Sequence, residues 1–508
     1  METRLTDVLV IGSGFGAAAP ALRLAQAGWS VTILEKGPRI GPGGEAFRQT
    51  QDPKYLLRYL KGLSGDHLGL TYAEALGGGS GFYEMVSLRA PTVAFEQVDG
   101  EGRRLWPAGL TRADLDPYYD IAERMLRVEQ IAERDVPKSG QVFALMMKSL
   151  GYSCDRARYA VRNCLGSGYC VTGCIYGAKQ SLHVNYLPQA VAAGAEILCG
   201  IEALSIARLP RARRRSGSNT SLPYRYLVRC RVGEGPGEEV EYRARIVILG
   251  GGTVGTARLL LASGETLPRL STQVGRNVAF NGSVKAAAIL PDSFPEGDMF
   301  QGRSHPGMIS YEFLESHGIS IFAVKPLPVQ LIAAARLRLA GLPRRPDWWG
   351  EDHVALMRHV RHRMIALVSL GLTPPSARIR LDARGRTQLE MEPSRELERY
   401  ERDIYQLLAS ILERNGCRLV ETPAIDRHGM TQEGLHFSTA HQTGSCRMAD
   451  APARGVVDAR GEVFGYPGLY VTDGAAIPSS LAVNTSLTIL ANAERIAAGL
   501  VERYRPAA

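Results

Sequence analysis

Three groups of residues in this 508-residue chain have types and spacings suited to chemistry. The first is Gly12-Ser13-Gly14-Phe15-Gly16-Ala17, with Glu35 lying 23 positions after Gly12. Gly12 permits a tight turn, Gly14 lets backbone approach a pyrophosphate, and Ala17 is small enough for close helix-strand packing. The free amides and positive dipole of the helix start would take the phosphates, and Glu35 would accept hydrogen bonds from a ribose hydroxyl. The second group is Cys164, Cys170 and Cys174, interleaved with Gly166, Gly168 and Gly173. Thiolates at such spacing on a glycine loop can share iron, but no fourth cysteine lies close by. The alternative is a structural loop leading into Gly177-Ala178-Lys179-Gln180-Ser181. The third is His441-Gln442-Thr443-Gly444-Ser445-Cys446-Arg447-Met448, followed by Leu469-Tyr470-Val471-Thr472-Asp473-Gly474 and Asn484-Thr485-Ser486. Taken singly, such a His reads as a capping or core residue and such an Asn as a helix cap.

These groups need elements to hold them. Residues 8–11 are a short apolar, mostly β-branched run, expected as a buried parallel strand; an alanine-rich helix over 18–27 and a second strand over 31–34 complete the unit. A glycine fingerprint this near the N-terminus is more typical of FAD enzymes than of NAD enzymes. A second cluster, Gly77-Gly78-Gly79-Ser80-Gly81, precedes Arg89-Ala90-Pro91. A third, Gly250-Gly251-Gly252, follows an apolar strand at 246–249 and opens a helix over 256–262, so a late strand returns to the same sheet. An amphipathic helix is expected over 114–128. Residues 284–415 read differently: 378–382 and 387–391 alternate around Arg384-Gly385-Arg386 as an antiparallel hairpin, followed by a helix over 396–414. The expected fold class is α/β, a discontinuous Rossmann-like FAD-binding domain with a second, substrate domain built on a mainly antiparallel sheet covered by helices. Its FAD-binding parts are residues 1–140, 191–283 and 431–508; 141–190 is a cysteine-containing connection, and 284–430 binds substrate.

Composition excludes several classes. With 45% hydrophobic and 22% charged residues the chain is neither disordered nor fibrous, and its length allows a large core without staples. Eight cysteines are too few for a disulfide framework, and residues 8–11 run into Gly12 where a signal peptide would continue, so a cytoplasmic protein is expected. The net charge is +9. The densest basic run, Arg208 to Arg215, lacks the aromatic residues or recognition motif of a nucleic-acid binder, so no nucleic-acid partner is expected.

The C-terminal stretches make a wider likeness specific. The chain resembles the glucose-methanol-choline (GMC) flavoprotein oxidoreductases over residues 5–40, 74–130, 245–282 and 436–500. Tyr470-Val471-Thr472-Asp473-Gly474, Ile477-Pro478-Ser479-Ser480 and Val483-Asn484 are similar to the cholesterol-oxidase branch. The resemblance implies FAD, with His441 and Asn484 facing its reactive ring as the catalytic pair. Removing a hydroxyl proton while hydride leaves carbon needs a group titrating near neutrality, which fits His441; Asn484 can hydrogen-bond the same oxygen. The resemblance further implies cofactor contacts at Gly12, Gly14, Gly16, Ala17, Glu35, Gly77, Gly78, Gly79, Ser80, Tyr83, Ala203, Gly250, Asp473, Gly474 and Thr485. The helix after Asn484 would point its dipole at the flavin. The substrate would be an alcohol on a hydrophobic molecule, sterol- or terpenoid-like, and electrons would pass to oxygen or to a separate acceptor.

The chain also departs from the family. Tyr83 stands where relatives carry an Asn at the flavin edge. The second glycine cluster has no His, so non-covalent FAD is expected. Phe322-Ala323-Val324-Lys325-Pro326-Leu327-Pro328 lacks the acid that cholesterol oxidases place before Pro-x-Pro, which argues against steroid isomerisation. Residues 331–372, with Trp348, Trp349 and many arginines, read as a helical insertion over the pocket; the alternative is a lid making weak peripheral membrane contact. Two other chemistries stay open: a lyase or photodecarboxylase on the same fold, and, were the cysteine loop to hold iron-sulfur, a dehydrogenase feeding a partner.

Overall fold

The apolar run at residues 8–11 is buried throughout, at the end of the strand Glu2–Ile11. A computed structural model describes residues 2–50, 52–210, 223–233, 235, 237–298, 302–324, 338–339, 350–421 and 437–504. Most of the basic run after Arg208, Trp348 and Trp349 with much of the insertion, the Pro-x-Pro at 326–328 and the boundary at 430 lie outside these residues.

The principal sheet has seven strands. Glu196–Cys199, Val31–Glu35, Glu2–Ile11 and Glu238–Leu249 run parallel in that order. The last divides its outer edge. Its early residues pair antiparallel with Tyr226–Val232, which pairs in turn with Ile201–Arg208, while its last three pair parallel with Leu469–Val471. Chain from both ends and the middle thus builds one sheet, and all three glycine-rich turns gather at the carboxyl ends of its strands. The helix Phe15–Gln26 buries five alanines, and this small surface lets it lie close to the sheet and to the final helix, Ser486–Arg503. Arg23 Nη2 and Tyr186 Oη both reach the buried Glu494 Oε1 at 2.7 Å, pinning that contact.

A second, five-stranded sheet runs Ile319–Val324, Met364–Gly371, Lys285–Ile289, Arg418–Glu421, Arg338–Leu339, with every pairing antiparallel. Its two faces have different neighbours. On one lies the helix Arg395–Arg414, N-capped by Ser394 and stopped before Gly416 at φ +75°; its Tyr400 hydroxyl donates to Gly282 O at 2.8 Å. The opposite face carries Lys285, Val368 and Phe322 directly across from one another, and there Ser320 Oγ donates to Ala482 O at 2.6 Å. That face therefore looks onto the segment leading to Asn484.

One expectation needs correction. The hairpin, Ala377–Leu381 with Thr387–Met391, forms as expected but stands apart as a two-stranded sheet against the helix Gly252–Ala262, outside the five-stranded sheet. Alternation specifies a strand's two faces, not which sheet it joins. The amphipathic helix runs Arg112–Met125, three residues short of its expected end.

Candidate functional site

Gly12 sits at φ +99°, and a Cβ there would lie 2.3 Å from Gly250 O, so the turn is closed to other residues. Gly250, donating to Ile11 O at 2.8 Å, is equally tight: its added Cβ would meet Ala17 Cβ at 2.6 Å. Gly16 is pressed against the end of the Leu469–Val471 strand, where a Cβ would come 2.3 Å from Asp473 Cα. Gly14 differs, with only Gly78 Cα in range at 3.9 Å. It caps its helix with no side-chain acceptor and no acid in the first turn, which leaves an open amide cradle.

Glu35 closes the Val31–Glu35 strand, 6% exposed. Ser13 Oγ donates to its Oε2 at 2.5 Å and Gly37 N to its Oε1 at 2.8 Å. Burial pushes the carboxyl up to about 7, against these hydrogen bonds, which favour the anion. Ser13 Oγ in turn accepts from Gly77 N at 2.8 Å, so one hydroxyl joins the first glycine cluster to the second. Ala203 lies on the antiparallel arm beside Glu202, whose carboxylate reaches Lys36, the neighbour of Glu35, at 3.6 Å.

In the second cluster Gly77 and Gly78 take φ +77° and +54° and lead into a single 3-10 turn, Gly78–Gly81. Ser80 Oγ donates to Gly77 O at 2.7 Å and accepts from Leu182 N at 3.2 Å. Nothing crowds Gly79. Tyr83 does not hold its hydroxyl free: it donates to Gln180 O at 3.2 Å, while the ring meets Phe15 edge-on at 5.4 Å. What Tyr83 can offer a flavin edge is therefore aromatic surface.

His441 follows the short strand Phe437–Thr439 and is held by its own N–H donating to Thr439 Oγ1 at 2.9 Å. Asn484 Nδ2 donates to His441 Nε2 at 3.2 Å, so residues 43 apart in sequence meet side chain to side chain. Desolvation, then repulsion from Lys285, pulls the imidazole down to about 4. Two buried carbonyl oxygens at this point, Asn484 Oδ1 and Gln442 Oε1, have no hydrogen-bond partner among the described residues. Thr485, not Asn484, is the cap of the last helix, and it makes no side-chain cap bond, with no acid in the first turn. Asp473 spends its carboxylate internally, accepting from Gly252 N at 2.7 Å and Thr256 Oγ1 at 2.6 Å with Oδ2 and from Ala475 N at 2.8 Å with Oδ1; burial pushes it up to about 6. Gly474 O accepts from Gly444 N at 3.0 Å, tying the His441 turn to this strand end.

Two residues escaped the sequence reading. Asn281, fully buried at φ +60°, accepts from Leu481 N at 2.6 Å and Ala482 N at 3.2 Å and donates to Val483 O at 2.7 Å, so it holds the three residues before Asn484. Its only signal was an Asn-Gly pair before a strand. Lys285 showed no signal at all. Cys164, Cys170 and Cys174 line one recess with Lys179, yet no cluster of three His, Cys, Asp or Glu suited to a metal occurs among the described residues, and all eight thiols are free. The loop is instead laced to the second glycine cluster: Lys179 Nζ donates to Gly81 O at 2.8 Å and to Cys170 O at 2.5 Å.

FAD fits this set of groups. The uncapped amides at Gly14, the Glu35 carboxylate, the open backbone at Gly79 and the unpartnered oxygens at Asn484 and Gln442 match a phosphate, a ribose and a polar ring edge in turn.

Comparison with known proteins gives matches along the chain. The N-terminal GMC oxidoreductase family model matches residues 7–281 and the C-terminal model residues 380–493. A cholesterol oxidase of Mycobacterium tuberculosis is 27% identical, over 97% of this chain and 90% of its own. A paromamine 6'-oxidase of Streptomyces fradiae is 28% identical, over 99% and 93%. A long-chain-alcohol oxidase of Arabidopsis thaliana is 25% identical, over 98% and 67%. Among solved structures, pyridoxine 4-oxidase superposes with a TM-score of 0.67 at 15% identity, covering 98% of this chain and 99% of that one. A formate oxidase of Aspergillus oryzae gives 0.66 at 15% identity, covering 99% of each.

Proposed function

The chain belongs to the GMC oxidoreductases, FAD-dependent enzymes that oxidise alcohols, and from that premise we propose that His441 and Asn484 act together on the hydroxyl of a largely hydrophobic substrate. The observation that carries the reading is the 3.2 Å contact between Asn484 Nδ2 and His441 Nε2. With Asn484 donating, Nε2 presents a lone pair, and the depressed basicity of the ring keeps it neutral at ordinary pH. A substrate hydroxyl entering between the two side chains would exchange that contact for two better ones: its oxygen accepts from Asn484 and its proton goes to His441. The bound flavin supplies the acceptor for the hydride leaving carbon. Positioning is the task of this chain, since the His441 turn, the Asn484 segment and the strand end at Asp473 are hydrogen-bonded into one unit.

Glu35, Ser13 and the cradle at Gly14 would hold the adenosine-diphosphate half of the cofactor. The flavin half would lie by Gly79, Ser80 and Tyr83, with the uncapped start of the last helix toward its pyrimidine end. Attachment is non-covalent in this reading, because the second glycine cluster offers no His. The relatives include cholesterol, long-chain-alcohol and paromamine oxidases by name, which supports an alcohol substrate with oxygen as acceptor. The deciding experiment is anaerobic titration of the yellow enzyme with alcohols, sterols and sugars. Bleaching by an alcohol, with colour returning on oxygen, supports the proposal, and a flavin that no alcohol in the panel bleaches contradicts it.

A further inference from the structure

Lys285 has no place in the chemistry above, yet it stands beside it. It lies on the strand Lys285–Ile289, four residues beyond Asn281, on the sheet face that also presents Val368, Phe322 and Ser320 toward the Asn484 segment. Its ammonium donates to Ser438 Oγ at 2.9 Å, and Ser438 is three residues before His441. The side chain is exposed, and its charge lies close enough to His441 to lower the basicity of the imidazole. Among the described residues no carboxylate pairs with it, and Ser438 is its one hydrogen-bond partner.

An accessible ammonium with two unused donors is open to an anion, and a bound substrate that covered it without neutralising it would bury an unpaired charge. A purely hydrocarbon alcohol would incur that cost when it filled the site. We propose that Lys285 is a substrate-recognition residue and that the substrate carries an anionic group, a carboxylate in the simplest case, besides the hydroxyl presented to His441. This rests on the His441–Asn484 reading for where the hydroxyl lies, and it narrows the substrate from a hydrophobic alcohol to an amphipathic one, anionic at one end. Lys285 is suited to the task as a compact point charge on a flexible stem, which selects charge more than shape.

The test uses flavin-loaded enzyme and unreactive probes: straight-chain carboxylates from acetate to octanoate, each against its primary amide, titrated while the flavin absorbance is followed. At least one carboxylate should bind about tenfold or more tightly than its amide. Lys285→Met should abolish that preference and Lys285→Arg should retain it, both with unchanged flavin content; Lys285→Gln replaces Met if the latter loses flavin. Equal binding of acids and amides by the unaltered enzyme overturns the proposal, as does a preference that survives loss of the cation. The probes carry no alcohol to oxidise, so the outcome is separate from bleaching. An anion preference without bleaching by any alcohol would contradict the oxidation reading alone.

Discussion

His441 is the residue on which the chemistry turns, and removing it tests the assignment most directly. His441→Ala should lower turnover by about a hundredfold or more, because a positioned general base contributes about that much, while flavin content stays unchanged. Turnover within a few-fold of the parent would sink the role. The pH profile follows from the same side chain. A base whose folded value is near 4 is already deprotonated above that pH, so kcat/KM should rise through about pH 4 and show no His441 limb near 6.5. Lys285→Met removes a repulsive charge, so the acid limb should move upward. A limb that stays put would mean that the two side chains do not sense each other.

At the scale of elements, the site depends on backbone segments brought close by absent side chains and held by one asparagine. Gly16→Ala would place a methyl carbon 2.3 Å from Asp473 Cα and force the first helix away from the Leu469–Val471 strand. Flavin content after purification should fall sharply, whereas Gly499→Ala, in open space late in the last helix, should retain it. Asn281→Ala would strand Leu481 N, Ala482 N and Val483 O, each costing about 1–3 kcal/mol if it stays buried and unpaired. Its melting temperature should drop by several degrees, and turnover should fall more than in a variant of equal stability lost elsewhere. A melting temperature equal to the parent's would show that the loop is held by other means.

The same elements show what the sequence could and could not say. The βαβ unit and its glycine turns were legible because local rules fix them: alternate burial, helix propensity and φ positive at Gly12. The helix Arg395–Arg414 was placed within one residue because its apolar stripe and caps lie in one continuous run. Asn281 and Lys285 were not legible, since their partners Leu481 and Ser438 lie 200 and 153 residues further along the chain. The engagement of the Tyr83 hydroxyl was not legible for the same reason: its acceptor, Gln180 O, sits 97 residues on.

For the whole molecule, stability against pH should be a dome. His183 and His305 are buried and His441 is partly buried, and desolvation pulls them to about 4, 3 and 4 from 6.5. An unfolded chain binds protons there more readily than the fold does, so stability present above pH 6.5 is lost as pH falls toward 4. Glu35, Asp473 and Glu401 are pushed up to about 7, 6 and 8, so their contribution is present in acid and is lost as pH rises through those values. The melting temperature of flavin-free protein should therefore peak near pH 6 and fall on both sides; a monotonic trend from pH 4 to 9 would contradict it. No helix among the described residues is long and apolar enough to cross a membrane. The sheet that draws its strands from both ends of the chain also has a consequence for biosynthesis. Gly16 and the Glu238–Leu249 strand wait for residues 469–473 before their packing is complete, and Thr472 Oγ1 then donates to Gly16 O at 2.7 Å. On the ribosome, the nascent N-terminal unit is an unfinished receptor with an exposed sheet edge, and contacts of such long sequence separation close slowly. Flavin capture would then follow completion of the chain, because the Gly16 turn is fully packed only once residues 469–473 are in place.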